Sequence, residues 1–214
     1  MATAGSITLT ERDRRLIGLL ATRVRVLSVP QIAARFWGDS AARERLARER
    51  LGRLRSAGLL DITERPCRPM IEITAPLVVW RPHRSDPDFA ALARQLASRW
   101  PDRAERTLCV TTTDEGARGV AGVRAAAPPA DSEATHDLHV AEVYFRMLDE
   151  LPSRAATWTL ETRLPKGQGV KVPDAMVRDG LDRTAIEFGG LYDRAKLESF
   201  HAHCRAHRMG YELW

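Results

Sequence analysis

The chain lacks any run of about 18 apolar residues, the length a membrane-crossing helix needs, so no membrane partner is expected. Its first twenty residues hold no apolar core segment and carry Glu11, Arg12, Asp13, Arg14 and Arg15, so no secretory signal is expected there. Cysteine is sparse. Cys67, Cys109 and Cys204 are odd in number and widely spaced, and they form neither a zinc pattern nor a disulfide framework. That usage leads us to expect a reducing, cytoplasmic setting. Lysine is scarce beside arginine, and no internal repeat is found. What is present is ordinary for a globular protein: 44% hydrophobic and 29% charged residues over 214 positions, enough for one large or two small domains.

Charge is unevenly placed. Residues 1–60 carry twelve Arg against five Asp or Glu, a balance of +7, while the whole chain is +5, which leaves −2 for residues 61–214. A basic N-terminal third points to a polyanionic partner for that part. The plainer source of the same pattern is a high-GC coding bias that fills a solvated helix with arginine.

Thr10 before Glu11 and Asp13 reads as a helix start, with Leu16, Ile17, Leu19 and Leu20 as its apolar face. Ser28-Val29-Pro30-Gln31 opens a second helix that runs to Gly38. Asp39 or Ser40 caps a third, which stops at Gly58. On this third helix Leu46, Leu51 and Leu54 are expected to face inward, while Arg43, Arg45, Arg48, Arg50, Arg53 and Arg55 occupy much of the rest. Residues 59–63 and 70–74, joined by a turn at 65–69, are expected to pair as a two-strand ribbon. Three helices followed by a ribbon is the order of a winged helix-turn-helix, here assigned to residues 1–75. Its third helix would enter the major groove, where arginines reach guanine edges and phosphates, with Arg65 and Arg68 at the ribbon tip on the DNA backbone. Protein docking is the alternative use of such a module, and the spacings Glu44/Arg48 and Glu49/Arg53 also suit a merely solvated helix.

Residues 76–130 read as a connecting segment: a strand at 76–82, a helix from Phe89 to Trp100, a strand at 107–112, and a Gly/Ala/Pro-rich loop from Gly116 to Ala130. Residues 131–214 read as a second domain. A helix from His136 to Leu151 precedes strands at 158–161, 172–178 and 183–188, with a turn at 166–169; a helix at 193–207 and a strand at 211–214 follow. This is the order of a restriction-endonuclease-like mixed sheet with helices on both faces. The expected class is therefore α+β, a winged helix followed by that mixed domain.

The second domain carries the chemistry. Asp174 follows Pro173 at the start of one strand, and Glu187 ends the next. Two carboxylates from adjacent strands can hold Mg²⁺, which needs oxygen ligands, while leaving open positions for a water and a scissile phosphate. Glu142 on the preceding helix, or Glu150, would complete such a site, and Glu161 is a further nearby acid. The pattern resembles that of PD-(D/E)xK nucleases, in which a lysine usually stands two residues after the glutamate; here Gly189 occupies that place. Lys196 on the next helix, or Lys171 before the Pro-Asp strand, would have to supply the amine. Mg²⁺ is expected only if the site is active. His201, His203, Cys204 and His207 share the last long helix, a spacing that suits a packed or solvated face better than a metal site.

Leu9-Thr10-Glu11-Arg12-Asp13, Leu54-Arg55-Ser56-Ala57-Gly58-Leu59-Leu60, His136, Pro173-Asp174-Ala175, Ala185-Ile186-Glu187 and Lys196, in this order, resemble the replication-relaxation family of plasmid and mobile-element proteins. The C-terminal part of that family is similar to PD-(D/E)xK nucleases. The resemblance implies a role in plasmid replication, mobilisation or its control, with double-stranded DNA as partner. Three functions follow for testing: a DNA-binding protein with a degenerate nuclease-like domain, an active Mg²⁺-dependent endonuclease, and a winged-helix regulator or antitoxin-like protein acting as a homodimer.

Overall fold

The computed structural model describes residues 7–100, 103–165, 167 and 171–214. In chain order they form α1 (Glu11–Thr22), β1 (Leu27–Ser28), α2 (Val29–Phe36), α3 (Ala41–Ser56), β2 (Leu60–Cys67), β3 (Val78–Trp80), α4 (Phe89–Ser98), β4 (Glu105–Thr112) and α5 (Asp114–Ala121). There follow α6 (Asp131–Glu150), α7 (Pro152–Ala155), β5 (Thr159–Leu160), a 3-10 turn at Glu161–Arg163, β6 (Ala175–Asp179), β7 (Asp182–Glu187), α8 (Arg194–Ala206) and β8 (Gly210–Leu213). The class is mixed α+β. No helix among the described residues is long and apolar enough to cross a membrane.

The chain divides into two compact units that do not follow linear order. One comprises the residues up to Arg68 together with Ala104–Ala141; the other comprises Pro69–Arg103 and Glu142–Trp214. This differs from the consecutive division at 75 and 130 expected from composition. The reason is strand pairing: β2 finds its partner beyond the intervening segment.

In the first unit, local chemistry sets the helix starts. At α1 the Asp13 N–H donates to Thr10 Oγ1 at 3.3 Å, and the Thr10 N–H donates back to Asp13 at 2.7 Å. Ser28 and Gln31 repeat this reciprocal cap at α2. Ser40 caps α3, which ends at Ala57 with Gly58 in the left-handed region at φ +74. The buried stripe of α3 is Ala47, Leu51 and Leu54; Leu46, expected inward, is 43% exposed. One residue is a turn of 100° on a helix, which carries Leu46 round to the open side.

The expected ribbon between 59–63 and 70–74 does not form. β2 runs unbroken through Arg65 and Pro66 and pairs antiparallel with β4, Leu60 against Thr112 through to Cys67 against Glu105. β1 pairs with the other side of β4, so β4 is central and β2 lies on the edge. An edge strand tolerates Pro66, whose missing N–H faces away from the ladder. The Gly/Ala-rich stretch after residue 113, expected as a loop, begins as a helix. Thr113 caps α5 by accepting from the Gly116 N–H at 3.0 Å. Gly116 is required there, because a Cβ would stand 2.3 Å from the Leu59 carbonyl oxygen.

In the second unit the sheet order is β3-β8-β7-β6-β5. β7 and β8 are parallel, joined through α8, and the other pairs are antiparallel. The expected succession of three strands, a helix and a strand is thus present as β5, β6, β7, α8 and β8. Residues 78–98 add β3 as a further edge and α4 as a cover. The apolar core joins Trp80, Leu92 and Leu96 of that added segment to Leu197, Phe200, Tyr211 and Leu213. The half-buried Arg154 bridges Asp179 and Glu212, each at 2.8 Å.

Candidate functional site

Register brings the two acids together. Ala175 of β6 lies opposite Ile186 of β7, which places Asp174 beside Glu187 at one end of the sheet. The Phe188 N–H donates to Asp174 Oδ2 at 2.7 Å, and the Asp174 N–H approaches Glu187 Oε2 at 3.3 Å. Glu187 Oε1 accepts from the Tyr192 hydroxyl at 2.7 Å, and Glu187 is buried. Burial first, then the charges of Glu187, Asp174 and Glu161, push the Tyr192 hydroxyl pKa far above the usual tyrosine range, so it stays a donor. Glu161 lies close in the backbone as well: its N–H donates to the Asp174 carbonyl at 2.9 Å.

The lysines stand as follows. The Lys196 ammonium lies 3.5 Å from the Tyr192 ring centroid, on the residue that holds Glu187, and it makes no ion pair with either acid. Lys171 is exposed, and its charge is felt at His203, whose pKa is lowered by burial first, then by His207 and Lys171. The turn expected at 166–169 lies outside the described residues save Gly167. At Gly189, the usual lysine place, a Cβ would meet Leu96 Cδ2 at 2.7 Å and Leu213 Cδ1 at 3.0 Å. Leu96 is fully buried on α4. The helix contributed by the inserted segment therefore fills the space through which that lysine would extend.

Glu142 is half-buried on α6, and Glu150 pairs with Arg146 at 2.6 Å. Among the described residues no group of three or more His, Cys, Asp or Glu side chains converges as metal ligands. Three carboxylate oxygens of Asp174 and Glu187 already accept hydrogen bonds from the protein itself. At this sheet end the described residues offer a cation two carboxylates, Asp174 and Glu187, both already held by hydrogen bonds within the protein. The histidines of α8 divide by burial. His201 is enclosed, with Nε2 3.1 Å from Asp86 and Nδ1 3.1 Å from the Tyr211 hydroxyl. The His203 and His207 rings lie tilted against each other, their centroids 4.2 Å apart.

In the first unit the arginines sort by partner. Arg50 donates to Asp13 at 2.5 and 3.1 Å, and Asp13 is only 1% exposed, so this pair ties α3 to α1. The Arg50 bond, the Thr10 cap and the Arg50 charge outweigh the cost of burial and hold the Asp13 carboxyl below its usual range. Arg48 pairs with Glu44 at 2.6 Å. Arg43, Arg45, Arg53 and Arg55 are exposed, and among the described residues no carboxylate pairs with them. Arg65 is not at a turn tip: it lies within β2 opposite Thr107, ion-paired with Asp131, its side chain 16% exposed. The half-buried Arg68 ends that run, its N–H donating to Thr135 at 3.0 Å.

Sequence reasoning missed Tyr192, Leu96 and Arg99. Arg99 donates to the Gly189 and Trp214 carbonyls at 2.8 and 2.9 Å, and burial pulls its pKa down to about 10. The signal for Tyr192 was its place just after Gly189-Gly190, where the chain turns back over the end of β7. Leu96 and Arg99 carry no local signal, since they reach β7 only through the insertion. No family model, no curated protein and no solved structure matches this chain.

Proposed function

We propose that the chain is a DNA-binding protein of a plasmid or other mobile element, in which a winged-helix unit grips double-stranded DNA and a nuclease-like unit has lost its metal chemistry. The observation that carries the reading is the open face of α3, where Arg43, Arg45, Arg53 and Arg55 are exposed and have no carboxylate partner among the described residues. Guanidinium groups in that state match duplex phosphates and guanine edges. The succession α1-β1-α2-α3-β2-β4, with β4 returning to close the sheet, supports a winged helix-turn-helix with an insertion in its wing. The succession β5-β6-β7-α8-β8, with Asp174 and Glu187 at one sheet end, supports the nuclease-like reading of the second unit. Leu96, which a side chain at Gly189 would meet, supports the loss of the lysine-dependent chemistry.

The test is fluorescence anisotropy of a labelled duplex across a salt series. Arg45→Ala and Arg53→Ala should each weaken binding and reduce the salt slope by about 1 per lost phosphate contact. Unchanged affinity and slope in both variants would end the DNA reading.

An active Mg²⁺-dependent endonuclease is the second reading, favoured by Lys196 lying one aromatic ring away from the Asp174–Glu187 pair. Incubation with supercoiled plasmid and Mg²⁺ decides it. Nicking that disappears in Asp174→Ala and Glu187→Ala establishes the enzyme; intact plasmid beside salt-sensitive duplex binding leaves the first reading.

A further inference from the structure

The outward face of α3 carries an acid as well as arginines. Arg45, Glu49, Gly52 and Ser56 follow one another at steps of four, three and four residues, which sets them on one stripe of the helix. At about 100° per residue, Glu49 stands about 160° round the helix from both Ala47 and Leu51 of the buried stripe. The two acids of α3 differ in state. Glu44 is neutralised by Arg48 at 2.6 Å. Glu49 is exposed, and among the described residues its side chain makes no hydrogen bond or ion pair, although Arg45 and Arg53 lie one turn to either side. Gly52, next on the stripe, has nothing within 4 Å of the position a Cβ would take. A glycine inside a helix weakens it, and here no neighbour within the described residues calls for one. Its bare backbone leaves room for a close neighbour from outside.

An uncompensated carboxylate on a face turned to a duplex is repelled by every phosphate it nears. It is tolerated at the groove floor, where base edges offer hydrogen-bond donors, because an ionised carboxylate only accepts. In the major groove those donors are the cytosine N4 amine and the adenine N6 amine. Adenine sets its N7 acceptor beside N6, against the second oxygen of a carboxylate, whereas cytosine presents the amine alone. We propose that Glu49 is a specificity residue of α3, accepting a hydrogen bond from the N4 amine of a cytosine in the major groove, while Arg45 and Arg53 supply affinity on the phosphate backbone. Cytosine recognition rests on the duplex-binding reading above, to which it adds the base that is read.

The experiment is selection of duplexes from a randomised pool by the full chain, followed by anisotropy on the enriched duplex. The wild type should enrich a cytosine at one position, and replacing that C·G pair should weaken binding about tenfold or more. Glu49→Ala should lose the preference at that position and keep the others. Glu49→Gln, whose amide both donates and accepts, should move the preference there to adenine. Both substitutions fall on an exposed side chain without partners among the described residues, so unfolding midpoints should match the wild type. A wild-type motif with no cytosine that depends on Glu49 would overturn the proposal. So would Glu49→Ala binding every duplex more tightly with its motif unchanged, since the carboxylate would then only repel phosphate. Duplex binding that needs Arg45, with the same preference in both Glu49 variants, sinks cytosine recognition alone. Absence of any duplex binding by the folded wild type removes the DNA reading, and cytosine recognition with it.

Discussion

Gly189 stands two residues after Glu187, and its missing side chain is matched by the packing around it. Gly189→Lys should therefore confer no nuclease activity and should destabilise the fold by about 1–3 kcal/mol, the usual cost of overpacking a filled core, read as a lower urea midpoint. Nicking activity gained by Gly189→Lys would show that Leu96 yields and that the site lacks only its amine. Tyr192→Phe removes the hydroxyl that donates to the buried Glu187, and a loss of about 1–3 kcal/mol in the same measurement is expected. Burial also pushes the Cys109 and Cys204 thiols from 9.0 up to about 12, and Tyr192 and Tyr211 upward from 10.0. All four pKa values are higher in the folded state. Their contribution is thus complete below about pH 9 and drains as pH rises toward 12. Arg99, lowered from 12.5 to about 10, has the opposite sign and offsets part of that loss only above pH 10. Denaturation midpoints should be level from about pH 7 to 9 and fall beyond it. The Asp174–Glu187 pairing was legible in the sequence because both acids sit at strand ends among apolar residues. The reason for Gly189 was not legible, because Leu96 lies far back along the chain.

The helices of the first unit were readable from their caps, since Thr10 with Asp13, Ser28 with Gln31, and Ser40 act within three residues of themselves. β2 was misread for the converse reason. Its partner, β4, is chosen by pairing surface and not by proximity, so a nearby apolar stretch at 70–74 looked equally suitable. α5 was missed because Gly116 and Gly119 depress helix propensity, whereas packing against Leu59 demands the first of them. Within α3 the arginines have separate duties. Arg50→Ala strips the buried Asp13 of its partner and should cost about 2 kcal/mol or more in thermal or chemical unfolding. Arg45→Ala removes no ion pair among the described residues and should shift stability by no more than about 0.5 kcal/mol while weakening duplex affinity. Equal loss of stability in the two variants would contradict this division of the helix.

At the scale of the molecule the chain passes between its two units at Arg68–Pro69, Arg103–Ala104 and Ala141–Glu142, the last within α6. A fragment of residues 1–75 lacks β4, the central strand of the first sheet, and a fragment of residues 131–214 lacks Trp80, Leu92 and Leu96 from the second core. Both should give circular dichroism and NMR spectra of unfolded chains; a cooperative transition in either would contradict the interleaved architecture.

β4 and β8 share one trait: each enters its sheet between strands that are synthesised before it. As the polypeptide leaves the ribosome, β1 and β2 wait for β4, while β3 and β7 wait for β8. Neither sheet closes from its own first-made residues. Nascent chains arrested before Gly210 should then expose open strand edges in the second sheet, rely on chaperones and be cleared by proteases, and that sheet should close only once Gly210–Leu213 have emerged.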